Sequence, residues 1–173
     1  MADVSVRPAR PEDAERVATI QLSTWRTAYA QLLPAEALAV PEVEVAAVWL
    51  AAIERPPTPD HRLLVAMDGA ELVGFAASGP EDAGADGTAV GELLTLLVEP
   101  RWGRRGHGSR LLAATVDTWR AAGTVAAVAW LLERDVVSTG FLLSTGWELD
   151  GQARGLDTGP RVERQLRLHC SLT

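Results

Sequence analysis

Residues 93–112, LLTLLVEPRWGRRGHGSRLL, carry an apolar extended segment through Pro100 into a turn of glycines and arginines, then into residues spaced for an amphipathic helix. A strand that feeds a helix through a tight turn, followed by another strand, is a βαβ unit, and few topologies accommodate it. The turn also has a chemistry of its own. The first N–H groups of a helix lack intrahelical partners and the macrodipole places about half a positive charge there, so a phosphate or pyrophosphate is stabilised at that end. Gly106 and Gly108 let the backbone come close to such a ligand, and Arg101, Arg104, Arg105 and Arg110 add charge and forked donors. Glycines and arginines also gather in ordinary exposed turns, so the rest of the chain has to decide between ligand site and surface loop.

The flanking elements support the unit. Residues 4–7 alternate and stop at Pro8, as a short first strand does. From Pro11 the apolar positions Ala14, Val17, Ala18, Leu22, Trp25, Ala28, Tyr29 and Leu32 recur at helical spacing, predicting one long helix that ends at Pro34. A second helical region covers 35–53 with a break at Pro41, and Val45, Val48, Trp49 and Ala52 share one side. The run 55–60, RPPTPD, is a loop. Asp68-Gly69, between the apolar runs 62–67 and 72–77, is a two-residue hairpin turn. A glycine-rich acidic loop at 79–91 leads to a strand at 92–98, a helix over 108–122 stopped by Gly123, and a continuous apolar strand at 125–132. The crossover rule makes the strands at 92 and 125 parallel, with the Gly/Arg turn at the C-terminal end of the first. Asp135 caps a short helix to Thr145, and strands at 147–150 and 161–169 close the chain as a hairpin around 151–160.

Length and the lack of repeats or linkers predict a single domain over 1–173. No run reaches the roughly 18 apolar residues of a membrane span. Residues 1–17 lack the apolar core of a secretory signal, so a cytoplasmic location is the default expectation. The only cysteine, Cys170, has no partner for an internal disulfide. A net charge of −7 disfavours nucleic acid and anionic membranes as partners. Within that acidity, residues 101–110 hold four arginines, one histidine and no acid, which suits a compact anionic ligand rather than a polyanion. HExxH, CxxC and clustered aspartates are missing, so no metal site is expected. A P-loop would need a lysine beside the turn, and the dinucleotide fingerprint would need glycine where Leu111 stands.

In this order of elements the chain resembles the GCN5-related N-acetyltransferase (GNAT) family over nearly its whole length. LLVEPRWGRRGHGSRLL is similar to the family's acyl-CoA motif, in which a strand and a proline lead to Q/R-x-x-G-x-G/A and a helix. The resemblance implies that Arg104, Arg105, Gly106, His107, Gly108 and Ser109 hold a pyrophosphate, mainly through backbone amides. Gly103 stands at the Q/R position, so that polar contact falls to Arg104 or Arg105. WLLERDVVSTGFLLSTGW is similar to the family's LxVxxxNxxAxxFYxxxGF, with Asp135 at the Asn, Phe141 at the Phe and Gly146-Trp147 at the final Gly-Phe. Asp135 and Phe141 are thereby implied cofactor contacts. Leu142 falls at the Tyr to which many members assign protonation of the CoA thiolate. Trp25, Ala28, Tyr29, Leu32, Leu33 and Pro34 look like the W-x-x-A-Y-x-x-L-L-P of some members. The implied fold is α/β (α+β type). It has a mixed, mostly antiparallel central sheet of about six or seven strands, about four flanking helices, and parallel fourth and fifth strands splayed around the cofactor. Acetyl-CoA is the implied co-substrate, a small-molecule or peptide amine the implied acceptor, and a homodimer the family's habit.

The implied reaction is direct attack of a neutral amine on the thioester, without a covalent intermediate. A backbone N–H near Leu97 or Val98 would polarise the carbonyl, with Leu96 beside it along the cofactor. Glu92 is the first candidate for the base, placed by alternation on one side of the strand with Leu94 and Leu96; the competing reading is a solvated strand-end glutamate. Glu99 reads as a surface residue. His107 has the intrinsic pKa of a proton shuttle, although the middle residue of G-x-G equally packs inward. Tyr29 lines the acceptor pocket or donates a proton, or packs with Trp25. Trp102 covers the cofactor or packs under the turn, and Trp49 and Trp130 read as core. Leu142 keeps a second functional class in view, a non-catalytic CoA-binding sensor or interaction module. The acceptor itself carries no readable code.

Overall fold

Alternating apolar residues in short runs build most of the architecture. In the computed structural model, which describes residues 4–81 and 88–173, they form β1 (Val4–Pro8), β2 (Arg62–Asp68), β3 (Glu71–Pro80), β4 (Val90–Val98), β5 (Ala126–Leu132), β6 (Glu148–Asp157) and β7 (Val162–Ser171). One seven-stranded sheet contains them in the order β1-β2-β3-β4-β5-β7-β6. The helices are α1 (Ala14–Ala28), α2 (Ala35–Leu38), α3 (Glu42–Glu54), α4 (His107–Ala121) and α5 (Val136–Ser144). All neighbouring strands run antiparallel except β4 and β5, which are parallel as the crossover rule requires. The mixed sheet with flanking helices is therefore the architecture expected from the sequence.

Each face of the sheet has its own core. On one face α4 lays Leu111, Leu112 and Trp119 against Val73, Ala76 and Leu93, and α5 adds Leu142. On the other, α1 sets Val17 and Ile20 against Val65, Phe75 and Leu97, with Trp49 of α3 at the margin. Burying each such large side chain contributes about 1.5–3 kcal/mol, which makes these faces the main stabilising elements. Gly91 has a packing reason: a Cβ there would lie 2.6 Å from the Trp119 indole. Among the described residues, no helix is long and apolar enough to cross a membrane.

The feature that shapes the site lies in β4. Ala77 of β3 stands opposite Thr95 and Ser78 opposite Leu93, so Leu94 is an extra residue, a β-bulge. Pairing of β4 with β5 runs from Val90↔Ala126 to Leu93↔Ala129 and stops there. Beyond it the two parallel strands diverge. The bulge also reverses which side chain faces which core: Leu93 packs with α4, while Leu97, four residues on, packs with α1.

Several sequence expectations change. Glu92, Leu94 and Leu96 do not share a face, because the bulge falls between them; Leu96 packs toward α4, while Gly91 and Leu93 take the α4 side around Glu92. The first helix ends at Ala28 and not at Pro34. Leu32 and Leu33 donate to the Tyr29 carbonyl in a turn, and Tyr29 and Leu33 line a cleft, an apolar environment whose spacing imitates a helix face. Val48 is 67% exposed, off the packed side of α3. The β2–β3 turn sits one residue later, at Gly69-Ala70, with Gly69 at φ +59°. The ends of the loop expected at 79–91 are strand, while 82–87 lie outside the described residues. The loop expected at 151–160 is mostly β6, because pairing with β7 resumes at Ala153↔Leu166 after an irregularity that includes Gly151 at φ +82°.

A nearly buried ion pair pins the N-terminal strand. Asp13, 7% exposed, receives two bonds from the Arg7 guanidinium, at 2.7 and 2.9 Å, and one from the Arg10 amide at 2.7 Å. Burial opposes the charge, but these donors outweigh it and hold the Asp13 carboxyl below its ordinary value. A carboxylate with a depressed folded pKa stabilises the fold above its unfolded value and loses that contribution as pH falls through the folded value. Asp13→Ala is expected to lower stability by about 2 kcal/mol near neutrality, measured by urea denaturation. The deficit relative to wild type should shrink as pH drops below about 4.

Candidate functional site

The Gly/Arg turn follows β4 through Pro100–Trp102, a single 3-10 turn. Glu99 anchors that junction, accepting from Arg16 at 2.5 Å and pairing with Arg101 at 3.0 Å. It is therefore a structural clamp and not the free surface residue expected. Gly106 caps α4 with φ +80°, a left-handed conformation natural to glycine, and no side chain caps the helix. The leading amides of α4 are left to an external acceptor. Trp102, Arg104, Gly106, His107, Gly108 and Ser109 line a pocket of about 530 Å³ there, closed on the far side by Leu96, Val98 and Phe141. A Cβ on Gly108 would stand 3.6 Å from the Phe141 ring and 3.7 Å from Leu96, so the glycine keeps the passage between them wide. Arg105 turns away from the pocket lining: its guanidinium lies 4.8 Å from the Trp102 ring centroid, and its carbonyl accepts from Arg110. Of the two arginines expected to replace the missing Q/R contact, Arg104 is the one in the lining.

His107 points the other way. It is 1% exposed, its Nε2 lies 3.2 Å from an Asp68 carboxylate oxygen at an angle too poor for a hydrogen bond, and its ring meets Trp102 edge-on. Its side chain belongs to the core, so the shuttle reading falls and only its backbone faces the pocket. Trp102, half-buried, packs against that core under the turn and also lines the pocket.

From this cradle the opening continues between the diverging ends of β4 and β5. The cleft, about 290 Å³, takes its walls from Leu94, Thr95, Leu96 and Leu97 on one side and Trp130, Leu131 and Leu132 on the other. Among the described residues no strand pairs the β5-facing edge of β4 beyond Leu93, which leaves main-chain donors and acceptors along that edge of the cleft. Asp135, Ser138, Phe141 and Leu142 line it from α5 and its cap, and Trp25, Tyr29 and Leu33 line it from α1 and the turn that follows. Leu142, at 2% exposure, packs into the α4 core and brings no polar group.

A hydroxyl enters instead from α1. The Tyr29 hydroxyl donates to Asp135 Oδ2 at 2.7 Å and lies 3.1 Å from Ser138 Oγ, bridging the end of α1 to the start of α5. Asp135 also accepts from the Ser138 amide at 3.0 Å, the predicted helix cap. Burial, together with the neighbouring Asp135 charge, pushes the Tyr29 phenol far above its ordinary value, so it stays protonated throughout the working range.

On the α1 side of the sheet, next to the cleft, Glu92 lies 3.9 Å from Arg154 of β6. Arg154 also donates to Gln165 at 2.7 Å and lies over the Trp130 ring at 4.4 Å. Trp130 is thus a cleft wall and not core, because its strand neighbour β4 has already diverged. Arg154, Gln165, Leu156 and Ser138 were missed from sequence. The alternation of 153–157 against the expected strand at 161–169 would have revealed the first three, but 151–160 resembled a loop.

The comparisons agree with this geometry. The profile of the acetyltransferase (GNAT) family matches residues 17–146. The chain belongs to that family. Among solved structures, the PaiA N-acetyltransferase of Thermoplasma acidophilum, in complex with coenzyme A, superposes with a TM-score of 0.77 at 18% identity, covering 98% of this chain and 99% of that one. A ribosomal-protein-alanine N-acetyltransferase from Brucella melitensis gives 0.75 at 21% identity, over 96% of this chain and 99% of its own. YncA of Salmonella typhimurium, a putative acetyltransferase with acetyl-CoA, gives 0.70 at 17% identity, over 98% and 94%. At such identities the likeness concerns the fold. Comparison with curated protein sequences finds no match.

Tyr29 is the only tyrosine, so ultraviolet pH titration reads it alone. Its raised folded pKa adds stability that is present below the ordinary value of 10.0 and declines as pH rises above it. Phenolate absorbance should therefore appear only well above pH 10.0 or with alkaline unfolding. In Asp135→Asn, which removes the neighbouring charge, ionisation should move to lower pH.

Proposed function

We propose that the protein transfers the acetyl group of acetyl-CoA to a primary amine, by direct attack of the amine on the thioester. The observation that carries this reading is the juxtaposition of a helix-start anion cradle with a cleft between two parallel strands that part at a bulge. The residues fit the co-substrate: Gly106 and the following amides suit a pyrophosphate, and the unpaired edge of β4 suits an amide-bearing arm. When bound, acetyl-CoA supplies the activated thioester.

In this proposal the amides of Gly106, His107, Gly108 and Ser109 bind the phosphates, with Arg104 beside them and Phe141 and Leu96 along the arm. A backbone N–H of β4 near Leu97 or Val98 polarises the acyl carbonyl. Glu92, on the α1 side, takes the ammonium proton directly or through a water, and Arg154 orients its carboxylate. Tyr29 donates a hydrogen bond to the departing sulfur in exchange for its bond to Asp135. Holding both reactants in register supplies much of the rate. The acceptor is a small molecule or a peptide amine. A cytoplasmic homodimer belongs to the same proposal, supported by the unpaired Cys170 and by the exposed Val43 and Leu50, seven residues apart on one side of α3, apolar surface suited to a second copy.

The test is acceptor-dependent thiol release from acetyl-CoA across a panel of amines. The chain contains no lysine, so its own side chains do not compete as acceptors. Glu92→Gln is expected to lower kcat/KM for the amine by about 10²-fold with acetyl-CoA binding unchanged. Tyr29→Phe should lower kcat by about tenfold or more with the same KM for acetyl-CoA. Gly106→Ala, which forces a side chain into φ +80°, should weaken CoA binding about tenfold or more by calorimetry. Tight CoA binding without thiol release for any amine would instead support the sensor or interaction module that Leu142 suggests.

A further inference from the structure

A second pocket, about 390 Å³, lies on the same side of the sheet as α3 and meets the reaction cleft at Leu94 and Thr95, which line both. Its walls are Trp49, Ala52 and Ile53 of α3, Pro56 and Pro57 of the following loop, and Leu63 of β2. The walls are set in advance. Trp49 is fixed by an indole N–H bond to Gln21 at 2.7 Å and an edge contact with Phe75, and the two prolines stiffen the lip. His61 is held by Thr58 at 2.9 Å and lies over Gly79, where a Cβ would stand 2.7 Å from its ring.

The charge in this pocket is as informative as its shape. Among the described residues no carboxylate lines it. The one guanidinium at its edge, Arg62, is turned onto the carbonyls of Pro59 and His61. Among the described residues its other polar groups are few: His61, held by Thr58, and the Ser78 and Thr95 hydroxyls. At the junction stands Leu94, 48% exposed, the extra residue that the bulge turns out of the sheet. A half-exposed leucine between two pockets is apolar surface offered to a ligand.

We propose that this pocket takes the body of the acyl acceptor, and that the acceptor is a small primary amine with an uncharged apolar group of aromatic-ring or branched-alkyl size, its nitrogen directed at Leu94 and Thr95. The inference rests on the acetyl-transfer reading above and supplies its substrate class. The pocket sets specificity through apolar fit, while Glu92 and β4 act on the nitrogen.

Steady-state acetylation of 2-phenylethylamine and of ethylamine, by the wild-type protein and by Ala52→Trp, tests it. Ala52 sits on a partly exposed side of α3, where tryptophan suits the helix and fills the pocket. The expected result is a preference for phenylethylamine of about tenfold or more in kcat/KM. In Ala52→Trp that preference disappears through a higher KM for phenylethylamine, with ethylamine and the KM for acetyl-CoA unchanged. Equal use of the two amines, a preference for an amine with a carboxylate or a second ammonium, or a variant that affects both amines alike would overturn it. So would a variant that leaves the amines alone but alters the use of butyryl-CoA against acetyl-CoA, since the pocket would then hold the acyl chain. Calorimetric titration of phenylethylamine into each protein saturated with CoA separates the two readings. Binding lost in Ala52→Trp, without turnover of any amine, upholds the pocket and rejects acetyl transfer; no binding to the wild-type complex rejects the pocket.

Discussion

Everything at the site depends on the place where β4 and β5 stop pairing. Parallel strands normally satisfy one another along their whole length, and unpaired main-chain groups inside a protein are costly. Here pairing ends at Leu93↔Ala129, one residue before the bulge at Leu94. The unpaired edge that results is useful only if a ligand with matching amides occupies it. The stability spent there comes back from the continuous cores on either face, which hold β4 by Leu93 against α4 and by Leu97 against α1. The bulge therefore opens the cleft and at the same time locks its wall from both sides.

The charge pattern divides the same way. Arginines near the turn are mostly committed to the protein: Arg16 and Arg101 to Glu99, Arg105 to Trp102, Arg110 to the Arg105 carbonyl. An anion at this turn would thus be held chiefly by the backbone of α4, with Arg104 beside it, and less by the number of arginines. At the far end of the cleft Arg154 and Arg167 flank Trp130, and Asp150, Glu81 and Glu92 balance them. Opposite charges set this close together are screened and exert a short-ranged field.

The sequence made legible what depends on local pattern. The helix that starts at the glycine-rich turn follows from its pattern, the parallel pair from the crossover rule, and the Asp135 cap from its position, and all three stand. What escaped depends on tertiary context. The facing of Glu92 relative to Leu96 hinges on one inserted residue, and a bulge leaves no mark in a run as uniformly apolar as LLTLLV. The end of α1 was overrun because Tyr29 and Leu33 serve a cleft, whose apolar demand resembles that of a core. Trp130 was misplaced for the complementary reason: its strand looks doubly buried until its neighbour departs. Arg154 and Gln165 stayed hidden because β6, rich in glycine and charge, pairs through its register with β7 and not through propensity.

The leucine at 142 bears on whether the site can turn over at all, and the geometry around it answers in chemical terms. A free thiol ionises near 8.5, so a departing thiolate in neutral water takes a proton from solvent without an enzymic acid. The Tyr29 phenol, raised above 10.0 by burial and by Asp135, is a weaker acid than that thiol by more than about 1.5 units. Full proton transfer from Tyr29 to sulfur would therefore be uphill by about 2 kcal/mol or more, and in the proposed reaction the phenol offers a hydrogen bond to developing charge instead. Such a bond needs an ordered hydroxyl in a water-poor cleft, and the Asp135–Ser138 pair provides the order. In the proposed reaction position 142 then needs no hydroxyl: its leucine serves the α4 core, and the phenol of Tyr29, held by Asp135 and Ser138, enters from the end of α1.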